Sequence, residues 1–178
     1  MAAPRNDRLT IYLAGPEVFL PDPQSTARKK REICERHGFE GVSPIDSGVS
    51  QDRSSGLETA MAIHRASVDL IRDCDLPIAN MTPFRGPSMD VGTAFEMGLA
   101  LALEKPVFGY GEDRRDYRER VSGATNAEGG RHDENGLLVE DFGLGDNLMP
   151  VGAIRKAGRE VTESFEACVR QARAWYGR

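Results

Sequence analysis

Residues 76–110 read LPIANMTPFRGPSMDVGTAFEMGLALALEKPVFGY, and the run divides into pieces of different period. Leu76-Pro77-Ile78-Ala79-Asn80-Met81 is short, apolar and closed by Thr82-Pro83, which predicts a buried strand. Residues 89–103 are the most apolar helical segment of the chain, and Lys105-Pro106 ends it. Val107-Phe108-Gly109-Tyr110 then reads as another strand. Strand, helix and strand in immediate succession predict a right-handed crossover between parallel neighbours.

The same alternation extends outward. Leu9-Thr10-Ile11-Tyr12-Leu13-Ala14 is a first buried strand stopped by Gly15-Pro16. Residues 24–37 form a helix with Ala27, Ile33 and Cys34 available to pack, and residues 39–44 a second strand. Residues 57–73 repeat apolar positions at helical spacing through Met61, Ala62, Val68 and Ile71. Residues 160–176 do the same through Val161, Phe165, Cys168, Val169 and Ala172, giving a closing helix. Residues 121–135 break the rhythm with Gly123, Gly129 and Gly130 and almost no apolar side chains, which predicts a mobile surface insertion. The expectation is a single α/β domain over residues 1–178, a flavodoxin-like doubly wound parallel sheet in three α/β/α layers.

Composition narrows the function. The 178 residues carry a formal charge of −5, with no clustered Lys/Arg to form a nucleic-acid footprint. No apolar run is long enough to span a membrane, and Met1-Ala2-Ala3-Pro4-Arg5 does not begin a signal-peptide pattern. Three widely spaced cysteines (Cys34, Cys74, Cys168) suit a reducing, cytoplasmic setting. His37, His64 and His132 lack metal-ligand spacing, and neither G-x-G-x-x-G after the first strand nor a Walker A motif is present. Neither a metal nor a cofactor is expected. The 19 glycines and 10 prolines fit tight turns around a site, because ligands of open α/β sheets bind beyond the carboxyl ends of the strands.

Glu96 is the only charge between Val91 and Leu103, and Gly92, Thr93, Leu99 and Ala100 share its helical face. A carboxylate held there is partly desolvated, its pKa pushed upward, with room beside it for a ligand. The alternative is an ordinary exposed Glu, but the run supplies no polar stripe for one. Asp90 opens the same helix, where the helix dipole alone would account for it.

In order along the chain stand Tyr12-Leu13-Ala14-Gly15-Pro16 with Phe19, then Asp75, a strand and Pro83-Phe84-Arg85-Gly86. Asp90-x-Gly92-Thr93-Ala94-Phe95-Glu96-x-Gly98 and Asn147-Leu148-Met149 follow. This order and spacing resemble the nucleoside 2-deoxyribosyltransferases from about Tyr12 to Met149. The resemblance implies that Glu96 is a nucleophile attacking C1′ of a 2′-deoxynucleoside, with configuration retained after a second base attacks the glutamyl ester. It implies that Tyr12 orients Glu96, that Asp90 binds sugar hydroxyls, and that Gly15, Phe19, Phe84, Arg85 and Gly86 line the substrate site. It also implies a homo-oligomer in which Asn147 and Met149 complete a neighbour's site. The partners would be 2′-deoxynucleosides and free nucleobases, in nucleoside or nucleotide salvage. From the residues alone, Tyr12 could equally be a packed strand-end tyrosine, Gly145-Asp146-Asn147 an ordinary turn, and the Phe84 segment a surface loop. Ser67 stands where family members often carry Asp or Asn near the base. The alternatives are an N-glycoside hydrolase of nucleosides or deoxynucleoside 5′-monophosphates, using water as acceptor, and a non-catalytic nucleoside-binding module.

Overall fold

A computed structural model describes residues 8–49, 56–113, 115–123 and 125–177. Its centre is a parallel sheet in the order β2-β1-β3-β4. The strands are β1 (Thr10–Ala14), β2 (Glu40–Val42), β3 (Leu76–Asn80) and β4 (Phe108–Tyr110). Tyr12 pairs with Val42 on one side and Pro77 on the other, and Ile78 pairs with Phe108. Pro77 donates no ladder hydrogen bond, yet the strand holds on its other pairings.

Side chains alternate across the sheet with period two, so each strand feeds two cores. Ile11, Leu13 and Phe108 face α1 (Pro23–Arg36) and α6 (Phe165–Tyr176), where Cys34, Cys168 and Val169 pack against them. Tyr12, Ala14 and Ala79 face the opposite layer of α2 (Gly56–Asp73), α3 (Val91–Ala102) and α5 (Leu148–Arg155). The fold is the expected flavodoxin-like three-layer arrangement. Close packing sets one glycine: a Cβ at Gly109 would lie 2.6 Å from Ile154 Cδ1 and 2.7 Å from Met81 Sδ, so α5 can press on β4 only if position 109 has no side chain.

Three parts differ from the sequence expectation. The closing helix begins at Phe165, not at 160, because Ser164 caps it by accepting the Ala167 amide at 3.3 Å. The residues ahead of it extend the sheet instead: Thr162 forms a parallel bridge with Tyr110, the remnant of a fifth strand. Residues 148–155, for which the sequence reading assigned no element, are helix α5, and Asn147 of the turn ahead of them is its N-cap. The segment 121–135 carries an antiparallel hairpin, β5 (Thr125–Ala127) with β6 (Gly130–His132), preceded by the single turn α4 (Tyr117–Arg120). Residue 124 lies outside the described residues. Cys34, Cys74 and Cys168 are all buried and unpaired. No helix among the described residues is long and apolar enough to cross a membrane.

The chain runs from β1 outward to β2, then returns to the other side of β1 to lay down β3. The carboxyl ends of β1 and β3 therefore flank the switch point, where this class of sheet opens a crevice.

Candidate active site at the carboxyl edge of the sheet

Tyr12 is fully buried in β1 and faces α3. Its hydroxyl donates to Glu96 Oε1 at 2.6 Å, joining the centre of the sheet to the second turn of α3. Burial, the first cause, pushes the Glu96 carboxyl up to about 7, and the charges of Asp90 and Glu17 add to it. The Tyr12 hydrogen bond pulls the other way by favouring the carboxylate. Burial and Glu96 together drive the Tyr12 hydroxyl far above its ordinary range, so it acts as a donor and not as an acid. Ser67, on α2, lies beside the same hydroxyl and opposes that shift.

Asp90 is the N-cap of α3. Its Oδ2 accepts both the Thr93 amide and the Thr93 hydroxyl, each at 2.9 Å. Both functions expected of a capping acid are met by that one oxygen. Among the described residues no donor reaches Oδ1.

Phe19 and Phe84 come together from the loops after β1 and β3, with ring centroids 5.3 Å apart and planes at 20°. The Arg85 guanidinium lies 4.7 Å from the Phe84 centroid and 5.0 Å from that of Phe19, a cation–π arrangement. Arg85 reaches it with φ of 55°, a left-handed conformation that costs a non-glycine residue energy. The Phe84 amide closes this turn on the Ser88 carbonyl at 2.9 Å, with Gly86 exposed at its tip.

Glu17 is a feature whose role the sequence did not reveal. Its Oε1 accepts from Lys30 Nζ, from Asn80 Nδ2 at 2.7 Å and from the Tyr110 hydroxyl at 2.9 Å. Burial works to raise its pKa, but Lys30 and the hydrogen bonds outweigh that and hold the carboxyl below its usual range. The network ties the ends of β1, β3 and β4 to α1. It also explains Gly15, where a Cβ would fall 2.0 Å from Glu17 Oε2.

Asn147 and Met149 are placed differently from Tyr12, Asp90 and Glu96. Asn147 caps α5: its Oδ1 accepts the Met149 amide at 3.0 Å, and its Nδ2 donates to Glu140 Oε1 at 2.7 Å. Its side chain is thus engaged within its own chain. Met149 is 72% exposed and points away from the core. A cavity of about 180 Å³ opens beside β3 and β4 among Met81, Gly111, Leu144, Asp146 and Val161. Tyr12, Asp90 and Glu96 do not line it, so this cavity and the carboxylate pair are separate features. Among the described residues, no group of three or more His, Cys, Asp or Glu is placed to hold a metal ion.

The profile of the family described as nucleoside 2-deoxyribosyltransferase matches residues 11–149. A solved 2-desoxiribosyltransferase from Leishmania mexicana is 34% identical, with TM-score 0.73, over 93% of this chain and 97% of that one. An uncharacterized protein of Schizosaccharomyces pombe is 34% identical over 172 residues, covering 87% of this chain and 81% of that protein. A solved conserved protein from Enterococcus faecalis shares the fold at 24% identity and TM-score 0.61, over 94% of this chain and 99% of that one.

Proposed function

This chain belongs to the nucleoside 2-deoxyribosyltransferase family, and on that footing we propose that it moves 2-deoxyribose from one nucleobase to another through an ester on Glu96. The observation that carries the reading is the 2.6 Å hydrogen bond from Tyr12 to a partly buried Glu96. Tyr12 occupies one carboxylate oxygen and leaves the other to act as nucleophile. That oxygen attacks C1′, the C1′–N bond breaks, and the departing base takes the bonding pair and then a proton from solvent, to which the incoming base later returns one. A second base attacks C1′, the ester C–O bond breaks, and Glu96 is restored. Two inversions through oxocarbenium-like transition states give net retention.

Asp90 Oδ1 accepts a sugar hydroxyl, while Oδ2 remains committed to Thr93. The Phe19–Phe84 pair and Arg85 offer a flat, polarisable wall for a base, with Gly86 giving clearance and Gly15 in the adjoining loop. The proposed assembly is a homo-oligomer. Val91 and Phe95, 84% and 59% exposed on the outer face of α3, support an apolar contact there, and Met149 supports a contribution to a neighbouring site. The proposed setting is nucleoside salvage in the cytoplasm, supported by three buried free thiols.

Incubation with deoxyinosine and free adenine tests the reading by chromatography. Deoxyadenosine is the expected product. Hypoxanthine with free deoxyribose alone would make the chain a hydrolase, and no turnover across a panel of nucleosides and nucleotides would remove both readings. Peptide mapping of protein quenched with deoxyinosine alone should find the deoxyribosyl adduct on Glu96.

A further inference from the structure

Asp146 lies outside the set of side chains that would touch substrate, yet only 2% of it is exposed and it gathers donors from both sides. Its Oδ1 accepts the Ser88 hydroxyl and the Asn147 amide, the latter at 2.7 Å. Its Oδ2 accepts the Met89 amide at 2.9 Å. Arg120, its side chain 3% exposed, stands 3.8 Å from Oδ2 and also donates to the Gly145 carbonyl. A carboxylate buried this deeply persists only with such donors and a cation around it.

The groups it holds lead directly to the candidate site. Ser88 closes the Phe84 turn that carries Arg85. Met89 is buried, and the next residue is Asp90, whose Oδ2 is fixed on Thr93. We propose that Asp146 is a positioning residue: it clamps Ser88 and Met89 and so aims Asp90 Oδ1 and the Phe84–Arg85 turn at the sugar and base. The inference rests on the reading of Asp90 as acceptor of a sugar hydroxyl, and it gives that acceptor its supporting structure. Nothing exposed or hinged intervenes between Asp146 and Asp90, so loosening one loosens the other.

Two measurements test it. In Asp146→Asn one acceptor oxygen becomes an amide nitrogen and cannot serve all three donors. Amide exchange at Met89 and Thr93 should accelerate about tenfold or more, while β1 and α6 keep their protection. Unchanged exchange over 84–93, or equal acceleration throughout the molecule, would overturn the clamp. In steady state, the milder Ser88→Ala should raise KM for deoxyinosine about tenfold with kcat within about threefold. The same change made in an Asp90→Ala background should add nothing; losses that simply add would assign Ser88 and Asp146 a merely structural part. A wild-type protein that turns over no nucleoside would defeat the proposed function alone, since the exchange measurement still decides the clamp.

Discussion

Glu96 is a carboxylate kept away from its ordinary acidity by burial and by two neighbouring negative charges, with Tyr12 restraining the effect. As the proposed nucleophile it must be ionised, so transfer should rise with pH through about 7. Tyr12→Phe removes the hydrogen bond that favours the carboxylate, and the rising limb should move to higher pH. Asp90→Asn removes a like charge and should move it lower, whatever it does to sugar binding. Rate profiles of the three proteins between about pH 5 and 9 check both directions. The same shift affects stability. Between 4.5 and about 7 the folded state holds a proton that the unfolded chain has released, so stability falls as pH rises across that window. Glu96→Gln should therefore be about 3 kcal/mol more stable than the wild type above pH 7 and equal to it below about pH 4.5, measured by urea denaturation. The partial burial and raised pKa of Glu96 were legible in the sequence because a lone charge inside an apolar helical run has few ordinary explanations. Glu17 was not: its partners Lys30, Asn80 and Tyr110 lie 13, 63 and 93 residues away, and only the assembled sheet brings them together.

Among the elements, α1 and α5 show how local chemistry is spent on holding the site. Lys30→Met would leave Glu17 buried without its cation, a loss of about 3–5 kcal/mol, and adding Glu17→Gln should recover much of it. Because the Glu17 carboxyl is held below its usual range, its contribution is present above about pH 4.5 and lost as pH falls through the folded value. Thermal melts of the single and double variants at about pH 7 and 4 check both points. Asn147→Ala removes the α5 cap and should cost about 1 kcal/mol by urea denaturation. The long elements were readable for different reasons: α2 repeats apolar positions at helical spacing, α3 is an apolar run ended by Lys105-Pro106, and α1 offers Ala27, Ile33 and Cys34 to pack before Gly38. Helix α5 was not, because Pro150 and Gly152 fall inside eight residues and both read as turn signals. The hairpin β5–β6 was missed for a related reason: each strand has three residues and no apolar alternation to betray it.

For the molecule as a whole, the doubly wound sheet follows from alternation alone, and the crevice from strand order. The outer surface was less legible, because exposure depends on which helical face meets the sheet. Leu57, Met61 and His64 recur along one face of α2, the His64 ring lies 6.2 Å from that of Phe95, and Val91 stands one turn before Phe95. This apolar face adjoins the helix that carries Glu96. Phe95→Glu should dissociate the proposed homo-oligomer in sedimentation velocity and lower turnover with it; an assembly of unchanged mass would remove α3 from the contact. The three buried cysteines have a practical corollary. Burial raises the Cys34, Cys74 and Cys168 thiols to about 12, 11 and 12, so each is both shielded from reagents and almost wholly protonated at neutral pH. The folded protein should therefore take up neither maleimide nor iodoacetamide, which mass spectrometry of the treated protein checks. A single cysteine introduced at Glu128, at the exposed tip of the hairpin, would take up a fluorophore alone, without first stripping the native thiols from the core.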